Sequence, residues 1–192
     1  MALAALLLTG GASRRLGTDK ATLVVDGRRL VDRVADLLGD ACDPVVEVGP
    51  AFSALPAVLE DPPGRGPLAA VAAGAEALDR QGYAGATIVL AVDLPRMTAA
   101  VVTWLRDHPS PDSVVPVVDG VAQVLCARYS ARALAGSRAL VAAGARSMHA
   151  LLDAGPVHRA HDDEWGSVAH ASVFADIDTP TDAAAADIDL PR

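Results

Sequence analysis

Lysine is almost missing from this chain. Of sixteen basic residues among 192, Lys20 is the single lysine and the other fifteen are arginines. A bias that replaces lysine wherever either cation serves leaves Lys20 as a candidate for a task that needs a compact ammonium rather than a planar guanidinium fork; chance retention is the plain alternative. Aromatic residues are scarce as well, at 3%, so Ala, Val and Leu must build the core, and a hydrophobic share of 52% excludes a disordered chain. The two cysteines, Cys42 and Cys126, are far apart in apolar surroundings and outside any C-x-x-C pattern. That excludes a disulfide framework or zinc ribbon and predicts two buried small hydrophobes. There is no basic run, and a net charge of −8 repels duplexes, so no nucleic-acid partner is expected. The apolar opening, Met1–Leu8, is too short to span a bilayer and has no basic leader. The expectation is therefore no membrane and a cytoplasmic location.

What is present is an alternation of apolar runs and helical patterns. Leu3–Leu8, Pro44–Val48, Ala57–Leu59 and Thr87–Val92 read as strands. Leu30, Val34, Leu37 and Leu38 lie at helical spacing, with Gly39 as a stop; Leu68–Leu78 and Thr98–Arg106 are further helices, the latter with Thr98 as N-cap. Ser113–Val118, a turn at Asp119-Gly120, and Ala122–Arg128 predict a β-hairpin. Helices are expected near Ala131–Ala143 and Ser147–Leu152, then Val157–Ala160, Ser172–Ile177 and a last helix entered through Pro180. Without repeats or a dividing linker, residues 1–192 read as one domain. Strands apolar throughout and separated by helices imply an α/β fold with a mostly parallel sheet covered on both faces. Such sheets bind ligands beyond the carboxyl ends of their strands. This singles out Thr9–Lys20, Asp61–Pro67 and Asp93–Pro95.

The first of these loops is rich in glycine and carries cations. Thr9, Gly10 and Gly11 after the strand ending at Leu8 bring backbone N–H groups within reach of phosphate oxygens, and Arg15 and Lys20 can neutralise a triphosphate. A P-loop would need Gly-Lys followed by Ser or Thr, whereas Lys20 lies between Asp19 and Ala21. A short-chain dehydrogenase opens similarly, but Arg15 would obstruct its pyrophosphate. It also needs a Tyr-x-x-x-Lys pair: four residues after Tyr83 is Thr87, and four after Tyr129 is Ala133.

Gly-Gly-x-Ser-x-Arg-x-Gly-x-Asp-Lys, from Gly10 to Lys20, meets every fixed position of a signature that resembles the MobA-like nucleotidyltransferases. The resemblance extends to Glu60-Asp61, Gly66-Pro67-Leu68-Ala69, Val92-Asp93-Leu94-Pro95, Ala145-Arg146-Ser147-Met148 and Asp176-Ile177-Asp178-Thr179-Pro180. It therefore covers nearly the whole chain, and the Gly-Pro-Leu-Ala stretch points to the molybdenum branch. The resemblance implies a Rossmann-like, three-layer nucleotidyltransferase fold of the nucleotide-diphospho-sugar transferase type. It implies transfer of GMP from GTP to the terminal phosphate of molybdopterin, with release of pyrophosphate. The same resemblance allows transient contact with proteins that insert molybdenum or receive the cofactor.

Carried onto this sequence, the resemblance implies a nucleotide site of Leu8, Thr9, Gly10, Gly11, Lys20, Asp61 and Asp93. Arg15, Lys20 and Asp93 are the catalytic candidates. Lys20 would stabilise charge that builds on the triphosphate, and Arg15 would hold the leaving β- and γ-phosphates. Asp93 ends an apolar strand at the ligand edge and is the first choice to hold Mg²⁺, or Mn²⁺ in its place, with Asp178 or Asp176 as second ligand. Related enzymes often carry Asn at these places, a point at which this sequence departs from the pattern. Asp61 is the candidate reader of guanine, since a carboxylate accepts both N1–H and N2–H. An Asn expected after the second strand is replaced by Val48-Gly49-Pro50.

His158, His161, Asp162, Asp163 and His170 match no metal-ligand spacing and read as a polar loop; Trp104 and Trp165 read as packing residues. Arg146, Ser147, Met148 and His149 are candidates for the acceptor pocket. Competing readings are cytidylyl or guanylyl transfer to the same or another small phosphorylated acceptor, and a nucleotide-binding protein without catalysis. A sugar-phosphate transferase is disfavoured by the short chain.

Overall fold

A strand apolar at every position must be covered on both faces, and β1 (Ala4–Leu8) is: all five residues are buried. In the computed structural model, which describes residues 3–10, 16, 18–186, 188 and 190, β1 lies at the heart of a sheet. It pairs in parallel with β4 (Val45–Val48) on one side and β6 (Thr87–Ala91) on the other. Beyond β4 lies the parallel β5 (Ala57–Val58). Beyond β6 lies β9 (Cys126–Tyr129), antiparallel to both β6 and β7 (Ser113–Val118), and at the edge β10 (Val157–Ala160) runs parallel to β7. The order is β10-β7-β9-β6-β1-β4-β5, with β9 running against the rest.

Two-residue alternation along β1 builds the layers. Ala5 and Leu7 face a cluster made with α1 (Leu30–Gly39) and α3 (Ala99–Asp107). Ala4, Leu6 and Leu8 face the other cluster, made with α2 (Pro67–Arg80), α4 (Ala131–Ala142) and α5 (His149–Asp153). The expected α/β fold with a mostly parallel, doubly covered sheet is therefore present. Helix α1 buries Leu30, Val34 and Leu38 and ends at Gly39 as its pattern predicts. Thr98 stands at the N-cap of α3, but its side chain makes no capping hydrogen bond. No helix among the described residues is long and apolar enough to cross a membrane.

Three stretches differ from the expectations. The second arm of the hairpin is divided: β8 (Val121–Ala122) returns from the Asp119-Gly120 turn, and a tight corner follows in which Gln123 N–H bonds Pro116 O at 2.8 Å and Cys126 N–H bonds Gln123 O at 3.0 Å. That corner lets β9 enter between β6 and β7. Ser172–Ile177 is no strand; Ala171–Phe174 is a 3₁₀ turn that buries Val173 and Phe174. A small hairpin of β2 (Val24–Val25) and β3 (Arg28–Arg29), turning at Asp26 and Gly27 with φ of 50° and 76°, was not expected. In that span only two apolar residues lie next to a strong turn, too few to raise a strand pattern.

Candidate active site

The sheet order brings loop ends together. Because Leu8 is level with Ala91 and Val92 N–H bonds Leu8 O at 3.0 Å, Thr9 and Gly10 emerge beside Asp93 at the carboxyl ends of β1 and β6. Leu8 and Thr9 are buried and Gly10 is exposed. Gly11 and Arg15 lie outside the described residues.

Lys20 begins a 3₁₀ turn, Lys20–Thr22, capped by Asp19 and pinned by the buried Ala21 and Leu23. Its Nζ donates to Asp93 Oδ2 at 2.8 Å and to Asp178 Oδ1 at 2.6 Å. Partial burial lowers the ammonium's pKa, but the hydrogen bonds and charge of Asp178 and Asp93 outweigh it, and the net effect is a raised value. Asp178 arrives from the C-terminal tail. Ile177, fully buried, donates its N–H to Asp93 O at 3.1 Å. Asp182 accepts the N–H of Asp178 at 3.0 Å and forms a capping box with Thr179 at the start of α7 (Pro180–Ala185). The carboxylates of Asp93, Asp176 and Asp178 lie within 4.8 Å of one another. Asp176 reaches solvent, yet lost hydration and then the like charges of Asp178 and Asp93 raise its pKa. Converging carboxylates with a cation seated among them fit a divalent metal, which needs one or two such ligands.

Sequence reasoning missed Glu47. It lies in β4 and is 0% exposed, yet no cation pairs with it directly among the described residues. Its carboxylate instead accepts from Thr9 Oγ1 at 2.6 Å, Phe52 N–H at 2.8 Å, Ser53 N–H at 2.8 Å and Ser53 Oγ at 2.5 Å. Loss of water on burial raises its pKa, but these donors more than offset that and hold it below its ordinary value. Glu47 thereby ties the start of the glycine loop to the turn after β4. Gly49 packs against the same threonine: a Cβ there would come within 2.1 Å of Thr9 Oγ1. The signal was in the sequence, a lone acid within the apolar Val-Val-Glu-Val, where a buried charge must find donors.

Asp61 belongs to a different loop, after β5, and is exposed. Its neighbour Glu60 accepts Gly64 N–H at 2.9 Å, and Arg146 donates to Gly64 O at 2.9 Å. Gly66, with φ of 98°, lies so near Arg146 O that a Cβ would stand 2.9 Å from it. Arg146 thus fastens the entry to α2, while Met148 is buried and His149 begins α5.

The histidine-rich stretch is not a loop throughout. His158 lies in β10, and α6 (Asp162–Trp165) carries a capping box from His161. His158 Nε2 is 2.7 Å from Glu164 Oε2, and His108 Nε2 is 3.5 Å from it. Trp165 packs edge-on against Phe174 and Trp104 against His108, so both tryptophans do pack. Cys42 and Cys126 are buried and free, their thiols pushed up by burial to about 11 and about 12.

Comparison with known proteins bears on this geometry. Residues 5–163 match the model of the MobA-like NTP transferase domain. The chain belongs to that family. A relative in Mycobacterium marinum, named a probable molybdenum cofactor guanylyltransferase, is 36% identical over 189 residues, covering 94% of each chain. Molybdopterin-guanine dinucleotide biosynthesis protein A from Archaeoglobus fulgidus shares the fold with a TM-score of 0.80 at 20% identity over 96% of each chain. A manganese complex of a Mycobacterium tuberculosis protein superposes with a TM-score of 0.57 at 15% identity, over 84% of this chain and 88% of that one. The family is one of nucleotidyltransferases, and the Rossmann-like transferase fold that the resemblance implied is the one observed. The family match ends at 163, so Asp176 and Asp178 join the site from outside it.

Proposed function

We propose that this chain transfers GMP from GTP to the terminal phosphate of molybdopterin. An oxygen of the acceptor phosphate attacks the α-phosphorus, the bond from that phosphorus to the bridging oxygen breaks, and pyrophosphate leaves. The observation that carries the reading is the meeting of Lys20 with Asp93 and Asp178 beside the glycine loop. It occurs in a chain whose relatives are named molybdenum cofactor guanylyltransferases.

For such a transfer the protein supplies positioning and charge. Backbone N–H groups of Gly10 and Gly11 cradle phosphate. The expected part of the Thr9 amide falls away, because Thr9 N–H already bonds Val48 O at 3.1 Å inside the sheet. Thr9, held by Glu47, sets where the loop begins. Lys20 and Arg15 bear on the triphosphate as charge moves onto the leaving pyrophosphate. Asp93 and Asp178 would hold Mg²⁺, or Mn²⁺ in its place, and the ion would there supply positive charge to the phosphate oxygens. Asp61 reads the Watson–Crick edge of guanine, and Arg146, which donates to Gly64 O in the same loop, meets the acceptor. The whole of 1–192 acts as one cytoplasmic unit, exchanging the cofactor with insertion and delivery proteins.

The test is release of pyrophosphate from each of the four nucleoside triphosphates, with and without molybdopterin. The expected outcome is release that requires both GTP and molybdopterin. Release with CTP in preference to GTP overturns the guanylyl assignment, and nucleotide binding without any release overturns the enzymatic one.

A further inference from the structure

The Lys20 ammonium occupies the place at which the carboxylates would hold a divalent cation. Its Nζ lies between Asp93 and Asp178, 2.8 and 2.6 Å from their oxygens, and Asp176 completes a group whose oxygens span no more than 4.8 Å. An ammonium and a metal cannot both fill so small a space, since each would repel the other and claim the same lone pairs.

We propose that Lys20 is the counter-cation of this carboxylate group before nucleotide arrives, and that metal and Lys20 exchange places when a triphosphate enters to receive the ammonium. The proposal rests on the reading of the site as a metal-dependent nucleotidyl transferase. Metal entering alone would have to evict Lys20, whose side chain is 16% exposed, from its two anionic partners. A phosphate oxygen offers the ammonium a new partner and lowers that cost. The two binding events are therefore coupled, and coupling is reciprocal.

The residue type suits the exchange. Lysine presents one compact charge on a flexible stem, anchored at its base by the Lys20–Thr22 turn. Arginine would grip the carboxylates in a bidentate fork and hold the site shut. This gives the chain's single lysine a physical reason to have escaped replacement.

Mn²⁺ binding to the nucleotide-free full chain, followed by electron paramagnetic resonance, tests the exchange. Lys20→Met removes the competing charge at similar length and should bind Mn²⁺ on the order of 10-fold more tightly than the unaltered protein. Lys20→Arg should bind it no better than the unaltered protein. Equal or weaker Mn²⁺ affinity in Lys20→Met overturns the exchange. Mn²⁺ binding that ignores Asp93→Asn in the unaltered protein and in Lys20→Met overturns the metal assignment beneath it as well.

A second measurement leaves the site unaltered. Lysine labelled with ¹³C at Cε gives one side-chain signal, because there is one lysine. Millimolar Mg²⁺ alone should leave that signal nearly in place, and Mg²⁺ with a non-hydrolysable GTP analogue should move it. A signal that stays in place when the analogue demonstrably binds overturns the exchange.

Discussion

Two clusters of ionisable side chains sit at opposite ends of the same sheet. At the carboxyl ends of β1 and β6, Lys20 meets Asp93 and Asp178. At the other end, where β7 and β10 begin, His108, His158 and Glu164 converge just as closely. Each offers three atoms of the kind that bind metals, and their surroundings separate them. His108 is 8% exposed, and its Nδ1 already accepts Ser110 N–H at 3.2 Å. That bond assigns the neutral ring's proton to Nε2, facing Glu164, and leaves no lone pair there for a metal. Nearby, the buried Arg128 caps the carbonyls of His108 at 2.7 Å and of Ser110, closing the loop after α3. The far cluster is thus completed by its own backbone. In the near cluster the counter-ion is a flexible side chain, and Asp178 is 52% exposed. Ligand-type residues mark a working site when their present partners can leave.

The comparison can be broken first at Asp93. Asp93→Ala should lower turnover about 100-fold or more, since it removes both the proposed metal ligand and a partner of Lys20; pyrophosphate release measures it. Next comes Glu47→Gln, which replaces a carboxylate accepting four hydrogen bonds with an amide that cannot accept them all. A loss of about 2 kcal/mol is expected, which calorimetry would read as a fall in Tm of about 4–8 °C, and the KM for GTP should rise more than kcat falls. Because its folded pKa is lowered, Glu47 contributes stability above its unfolded value near ~4.3 and loses it as pH falls through the lower folded value. Asp61→Asn should cut the preference for GTP over ATP by about 10-fold, read from competing turnover; an unchanged ratio rules out base reading by Asp61. Glu164→Gln should have the smallest effect, within about 1 kcal/mol of stability and with unaltered transfer kinetics. Burial first, and then nearby positive charge, hold His108 below its ordinary value despite Glu164. Stability should therefore decline as pH falls below ~6.5 towards that lowered value, because the unfolded chain takes up the proton first. Urea midpoints at several pH values would follow it.

The sequence made the sheet legible because β1, β4 and β6 are apolar at nearly every position, a pattern that two covered faces demand. Asp93 was legible for a related reason, since charge at the end of such a run has few structural uses, and Lys20 because it is the chain's single lysine and lies in the glycine-rich loop. Asp178 and Asp176 could not be told apart by spacing, and the fold brings both carboxylates to Asp93 while leaving Asp178 in contact with Lys20. Glu47 was hidden because its donors, Thr9, Phe52 and Ser53, are a strand and a turn away. The histidine cluster was hidden because His108 lies fifty residues before His158, brought level only when β10 pairs with β7. Short elements such as β8 and β2 carry too few residues to show a period.

The tail that delivers Asp178 is fastened to the sheet through the amide of Ile177, and α7 through Arg96 to the carbonyl of Ala185. Detachment of this segment would strip two carboxylates from the site while leaving β1 and β6 paired. Deuterium uptake at the Ile177 amide would therefore clock the opening of the site separately from the opening of the sheet, and bound substrate should slow the first while leaving the second near its original pace.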